Sequence, residues 1–116
     1  MKSHRQYLED MLEYISYLES FHVDSPEALE DIKTQLAVRK SYEVLGEIIK
    51  RLPETVLQKQ PHIPWKEVKG MRDILIHRYD DIDLTLLWDT LIQLPALRVA
   101  VEALLAELPP DENLPA

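Results

Sequence analysis

Met71-Arg72-Asp73-Ile74-Leu75-Ile76-His77-Arg78-Tyr79 sets an arginine, a histidine and a tyrosine in one short run whose apolar side chains keep a helical period. At about 100° per residue, Arg72 and Tyr79 come out roughly 20° apart on a helix, and Asp73 and His77 are neighbours one turn apart. Val68, Met71, Ile74 and Leu75 take the opposite side and read as the core-facing stripe. Lys66, Lys69, Arg72, Asp73 and His77 then form one polar strip that a core does not need. A helix of this kind must bury its apolar side against other helices.

The rest of the chain supplies them. Upstream, residues 4–22 read as a helix with Leu8, Met11, Leu12, Ile15 and Leu18 as its stripe. Val23-Asp24-Ser25-Pro26 stops it and starts the next, with Ser25 as N-cap and Pro26 at the first helical position. That second helix is expected over about 26–52, with Leu29, Ile32, Leu36, Leu45, Ile49 and Leu52 in phase and Val38 and Tyr42 widening the buried face. Gly46 inside it costs up to ~1 kcal/mol against alanine, which points to a close helix approach there. Glu43 and Glu47 read as a solvated face. Three prolines (53, 61 and 64) make 53–64 mainly a loop with a short helical turn at 54–59. The motif helix runs from Pro64-Trp65 to about Tyr79.

Downstream, Asp83 is placed to cap a helix bearing Leu84, Leu87, Trp88, Leu91 and Leu94. Pro95 breaks or kinks it, and Leu97, Val101, Leu104, Leu105 and Leu108 resume the stripe. The expectation is an all-α fold, an up-down bundle of four to five helices, as one domain over 1–108 with 109–116 as a flexible tail. Leu86, Leu87, Leu91 and Ile92 cover more of their helix than one core requires, so a two-fold dimer is expected to bury the excess.

Composition narrows the function classes. With 116 residues and no cysteine there is room for one core, and neither a disulfide framework nor a thiolate site. Four histidines without a His-x-x-x-His or paired carboxylate spacing give no metal site, and no cofactor is expected. The run Met1-Lys2-Ser3-His4-Arg5-Gln6-Tyr7 lacks an apolar h-region, and no 18 consecutive residues are apolar. No secretion signal or membrane span is expected, and the reading is cytoplasmic. A net charge of −8 argues against a general nucleic-acid binder. Residues 39–78, however, hold nine Lys or Arg against five acids, a net of +4, which leaves −12 elsewhere. The basic segment is the one that holds the motif.

The polar strip has the parts for attack on a phosphodiester. Arginine is a permanent cationic fork that suits phosphate oxygens, and histidine can move a proton near neutral pH. Taken alone, an arginine and a histidine on a helix face are ordinary surface residues. The full spacing Arg72-x-x-x-x-His77-x-Tyr79 resembles the signature of the HepT ribonuclease toxins of the HEPN superfamily. Tyr42-Glu43-Val44-Leu45-Gly46-Glu47-Ile48-Ile49-Lys50, Ile63-Pro64-Trp65-Lys66-Glu67-Val68-Lys69-Gly70-Met71 and Asp83-Leu84-x-x-Leu87-Trp88 resemble that family in the same order. The likeness spans roughly residues 5–108. Asp73 stands where the family often has asparagine, and Arg78 and Asp80 where an acidic and an aromatic residue are expected; these departures bear on substrate preference.

The resemblance implies a metal-independent RNA endonuclease, the toxin of a type VII-like toxin–antitoxin pair. Arg72 and His77 would be its catalytic residues, with Asp73 in support, and Lys66, Lys69 and Arg78 are candidate RNA contacts. It also implies a partner, an MntA-type nucleotidyltransferase antitoxin that transfers AMP to the motif tyrosine, here Tyr79. The sequence leaves two roles open: Asp73 either orients the imidazole or is a polar spacer, and Tyr79 is either that acceptor or a half-buried aromatic. The alternative class is a non-catalytic helical binding module that partners a small nucleotidyltransferase.

Overall fold

Ser3 opens the first helix with a capping box: its hydroxyl accepts from the Gln6 amide while the Gln6 side chain accepts from the Ser3 amide. The computed structural model describes residues 2–109. Among these it is all-α, with α1 His4–Ser20, a 3₁₀ turn Pro26–Glu30, α2 Ile32–Arg51, α3 Glu54–Leu57, α4 Trp65–His77, α5 Leu84–Ile92 and α6 Leu94–Glu107, and no strand. Apart from Pro109, the expected tail lies outside the described residues. The bundle is HEPN-like in form, as expected.

Of the stripe expected on α1, Leu8, Met11, Ile15 and Leu18 are buried and Leu12 is half-buried. They meet Val38, Tyr42, Leu45 and Ile49 of α2 and Leu97, Val101 and Leu104 of α6 in one core. Burying one such side chain contributes about 1.5–3 kcal/mol. Two arginines fasten α6 to α1. Arg5 donates to the Leu105 and Leu108 carbonyls at 3.1 and 2.8 Å, closing the C-terminal end of α6. Arg98 pairs with Glu19 at 2.6 Å and donates to Ser16 at 2.8 Å.

Capping residues read from sequence act as caps. Ser25 caps the 3₁₀ turn that has Pro26 in its first turn, and Asp83 caps α5 by accepting from the Thr85 amide at 2.9 Å. The proline-rich loop is ordered by Trp65, whose indole N–H is shared between the Leu57 and Gln60 carbonyls, each at 3.0 Å. The turn expected within 54–59 is α3. Gln93 separates α5 from α6, with Pro95 in the first turn of α6 and a bend of 48° between the two helices. No single described helix is long and apolar enough to cross a membrane.

Three expectations are corrected. The helix expected over 26–52 is divided at Asp31, whose backbone is extended (ψ 121°) and whose carboxylate takes the Thr34 amide at 2.9 Å. In consequence Ile32 and Leu36, expected in the core, are 59% and 53% exposed. Relative to Tyr42 they stand roughly 80° and 120° round the α2 axis, away from the buried face. The motif helix ends at His77, because Arg78 leaves helical geometry (φ −125°, ψ 41°). Finally, the apolar excess read on α5 is mostly used at home. Leu87 is fully buried, Leu86 and Leu91 are half-buried, and Ile92 remains 59% exposed.

Candidate functional site: an anchored arginine in the α2–α4 cleft

The most extensive helix–helix contact is between α2 and α4, and Gly46 makes it close. A Cβ placed there would lie 2.7 Å from Arg72 Cβ and 3.2 Å from the Lys69 carbonyl oxygen. Only a residue without a side chain lets α4 settle at this depth. Met71 and Leu75 go into the core, and Arg72, next to Met71, is brought over α2.

There it meets Glu47. Arg72 Nε contacts Glu47 Oε2 at 2.8 Å, an ion pair without hydrogen-bond alignment to an oxygen closed off from solvent, and Arg72 Nη1 donates to Asp73 Oδ1 at 2.9 Å. Glu47 Oε1 in turn accepts from Arg51 Nη2 at 3.2 Å. The guanidinium is thus held by its Nε side, and 28% of the side chain remains open to solvent. No hydrogen bond to Nη2 is made among the described residues. A cleft of about 280 Å³ between α2 and α4 lies beside it, bounded by Lys40, Glu43, Glu47, Arg72 and Ile76.

Structure divides the polar strip read from sequence. Arg72 turns into the cleft, while Lys66, Lys69, Asp73 and His77 stay on the exposed side of α4. His77 is the last helical residue, exposed, and makes no hydrogen bond or ion pair among the described residues. It stands five positions beyond Arg72, which places it about 140° round the axis and ~7.5 Å along it. Asp73 pairs with Arg72 and makes no hydrogen bond to His77 among the described residues. Arg78 reaches only Asp81, at 3.8 Å on an exposed turn.

Tyr79 sits beyond the helix, 68% exposed, so the half-buried aromatic is not what the fold makes of it. Its carbonyl accepts from Arg39 Nη2 at 2.9 Å, which ties the post-helix turn to α2. Glu47, expected on a solvated face, is instead the partner of Arg72, and Arg39 has a role that the sequence does not show. Glu47 was readable as more than a solvated face: it follows Gly46, the one position already marked for a close helix approach. Arg39 left no such sign, since it acts on a backbone carbonyl forty residues away. Among the described residues no three His, Asp or Glu cluster so as to hold a metal ion.

The family described as ribonuclease HepT-like matches residues 11–104, which includes every element of this site. The chain is a member of the HepT-like ribonuclease family. It is 40% identical over 106 residues to "Probable ribonuclease HepT" of Thermococcus cleftensis, covering 89% of this chain and 96% of that protein. It is 43% identical over 93 residues to "Putative RNase MJ0127" of Methanocaldococcus jannaschii, covering 78% and 77%. "Putative RNase TTE0752" of Caldanaerobacter subterraneus subsp. tengcongensis is 33% identical over 108 residues, covering 90% and 96%. No solved structure matches the chain significantly. A HepT-like ribonuclease acts on RNA.

Proposed function

We propose that this HepT-like chain is an endoribonuclease that cleaves RNA without a metal ion, using Arg72 and His77. The observation that carries the reading is the state of Arg72: its guanidinium is anchored through Nε to Glu47 while its outer edge faces an open cleft. Pre-set cationic donors of this kind stabilise charge that grows on phosphate oxygens in a transition state. The RNA's own 2′-oxygen forms the new bond to phosphorus and the bond to the 5′-oxygen breaks. His77 accepts the 2′-hydroxyl proton, or gives one to the departing 5′-oxygen. The products are a 2′,3′-cyclic phosphate and a 5′-hydroxyl. Lys66, Lys69 and Arg78 contact neighbouring phosphates.

One chain has one motif histidine, and the reaction gains from both a base and an acid. A two-fold dimer that faces two α4 helices across one cleft supplies both, and it suits a histidine that stands 140° from its own arginine. Tyr79 is the acceptor for AMP from an MntA-type nucleotidyltransferase antitoxin, and its 68% exposure supports that role. Asp73 acts through Arg72, to which it is bonded. The binding-module alternative draws on the −12 net charge outside residues 39–78, and it requires no cleavage at all.

The test is RNA cleavage in EDTA by wild type, Arg72→Ala and His77→Ala. Each substitution is expected to lose ~10²-fold or more with helix content unchanged. Cleavage that survives both substitutions and stops with EDTA would sink the assignment.

A further inference from the structure

A second cavity, of about 380 Å³, has no part in the ribonuclease reading. Its walls come from separate parts of the chain: Tyr42 on α2, Ile63 and Val68 around the start of α4, Thr90 near the end of α5 and Leu97 on α6, with exposed His62 beside them. Tyr42 is 1% exposed, and its hydroxyl has no hydrogen-bond partner among the described residues. Thr90 lies beside it; the Thr90 hydroxyl gives its proton to the Leu87 carbonyl at 2.6 Å, so toward Tyr42 it has only acceptor lone pairs to offer. Burial pushes the Tyr42 hydroxyl up to about 12, with the neighbouring Thr90 a smaller, opposite influence. At neutral pH it therefore keeps its proton, which an acceptor in the cavity can take in preference to the poorly aligned Thr90.

The rest of the lining says what can use that donor. No Lys, Arg, Asp or Glu borders the cavity, and His62 stands at its exposed rim, so a charged occupant seated among the apolar walls would lose its hydration without gaining a buried counter-ion. Ile63, Pro64, Val68, Ala96 and Leu97 offer apolar surface to a hydrocarbon body. We propose that this cavity binds a small uncharged molecule with an apolar body and one hydrogen-bond acceptor, a carbonyl oxygen or ring nitrogen, which accepts from the Tyr42 hydroxyl. The occupant touches both helices at the Gln93 break and also α2 and α4, so binding fixes the 48° bend between α5 and α6. The site is separate from the Arg72 cleft, since Tyr42 and Glu47 stand about 140° apart round α2. It does not rest on the ribonuclease reading.

Three one-ring probes of similar size separate the requirements: acetophenone, ethylbenzene and benzoate. The methyl resonances of Ile63, Val68 and Leu97 in the full chain report occupancy without any activity measurement. Acetophenone is expected to shift them saturably, and Tyr42→Phe, which keeps the ring, to weaken its binding about five- to tenfold. Ethylbenzene is expected to bind more weakly than acetophenone and equally to both proteins, and benzoate to leave the methyls unmoved. Ala96→Leu, which adds bulk to the wall, is expected to block both binders. The proposal is overturned if no probe moves these methyls, if benzoate moves them as acetophenone does, if ethylbenzene binds wild type as tightly as acetophenone, or if Tyr42→Phe binds acetophenone as tightly as wild type.

Discussion

Arg72 and Tyr79 share a motif but not an element. Arg72 is on α4 and fixed to α2 through Glu47; Tyr79 is two residues past the helix, its backbone held by Arg39 and its ring in solvent. An AMP on the Tyr79 hydroxyl would therefore attach to an exposed turn, where a transferase could reach it without opening the bundle. Its phosphate would add negative charge beside His77 and Arg78, and its bulk would compete with RNA there. Tyr79→Phe keeps the ring and removes the acceptor. Intact mass after incubation with an MntA-type transferase and ATP is expected to rise by AMP in wild type and to stay unchanged in Tyr79→Phe. Equal gains in both proteins would rule Tyr79 out.

At the scale of elements, α2 and α4 matter most, and their two glycines have opposite roles. A Cβ at Gly46 would meet Arg72 Cβ at 2.7 Å, whereas one at Gly70 meets nothing within 4 Å. Gly46→Ala gains up to ~1 kcal/mol of helix propensity but overpacks the crossing, at about 1–3 kcal/mol. Net destabilisation and a displaced Arg72 are expected, hence slower cleavage. Gly70→Ala is expected to stabilise by up to ~1 kcal/mol. Chemical denaturation of the two variants decides it, and a stabilised, fully active Gly46→Ala would contradict the packing argument. Gly46 also marks how far the sequence could be read. Its helical setting announced a close approach, and Ser25, Asp83 and Pro95 announced their ends, because each rule is local. The break at Asp31 was hidden because Leu29, Ile32 and Leu36 carry an apolar period straight through it. The salt bridge of Arg72 to Glu47 is only half legible: Gly46 marks a close approach on α2, but the sequence does not say which side chain of which helix lies over it.

For the whole molecule, the exposed apolar side chains include Ile32, Leu36, Ile76 and Tyr79, and of the α5 run only Ile92. Ile76, 40% exposed, stands beside His77, so a two-fold contact near that end of α4 would bring two histidines together while burying Ile76. Sedimentation at micromolar concentration is expected to give a dimer, and a clean monomer would remove the shared site. The central claim concerns the chemistry, which the ends of the cleaved RNA record. With the purified protein in EDTA, every new 3′ end is expected to be a 2′,3′-cyclic phosphate and every new 5′ end a hydroxyl. Ends of 3′-hydroxyl and 5′-phosphate, formed only when a divalent metal is restored, would contradict it.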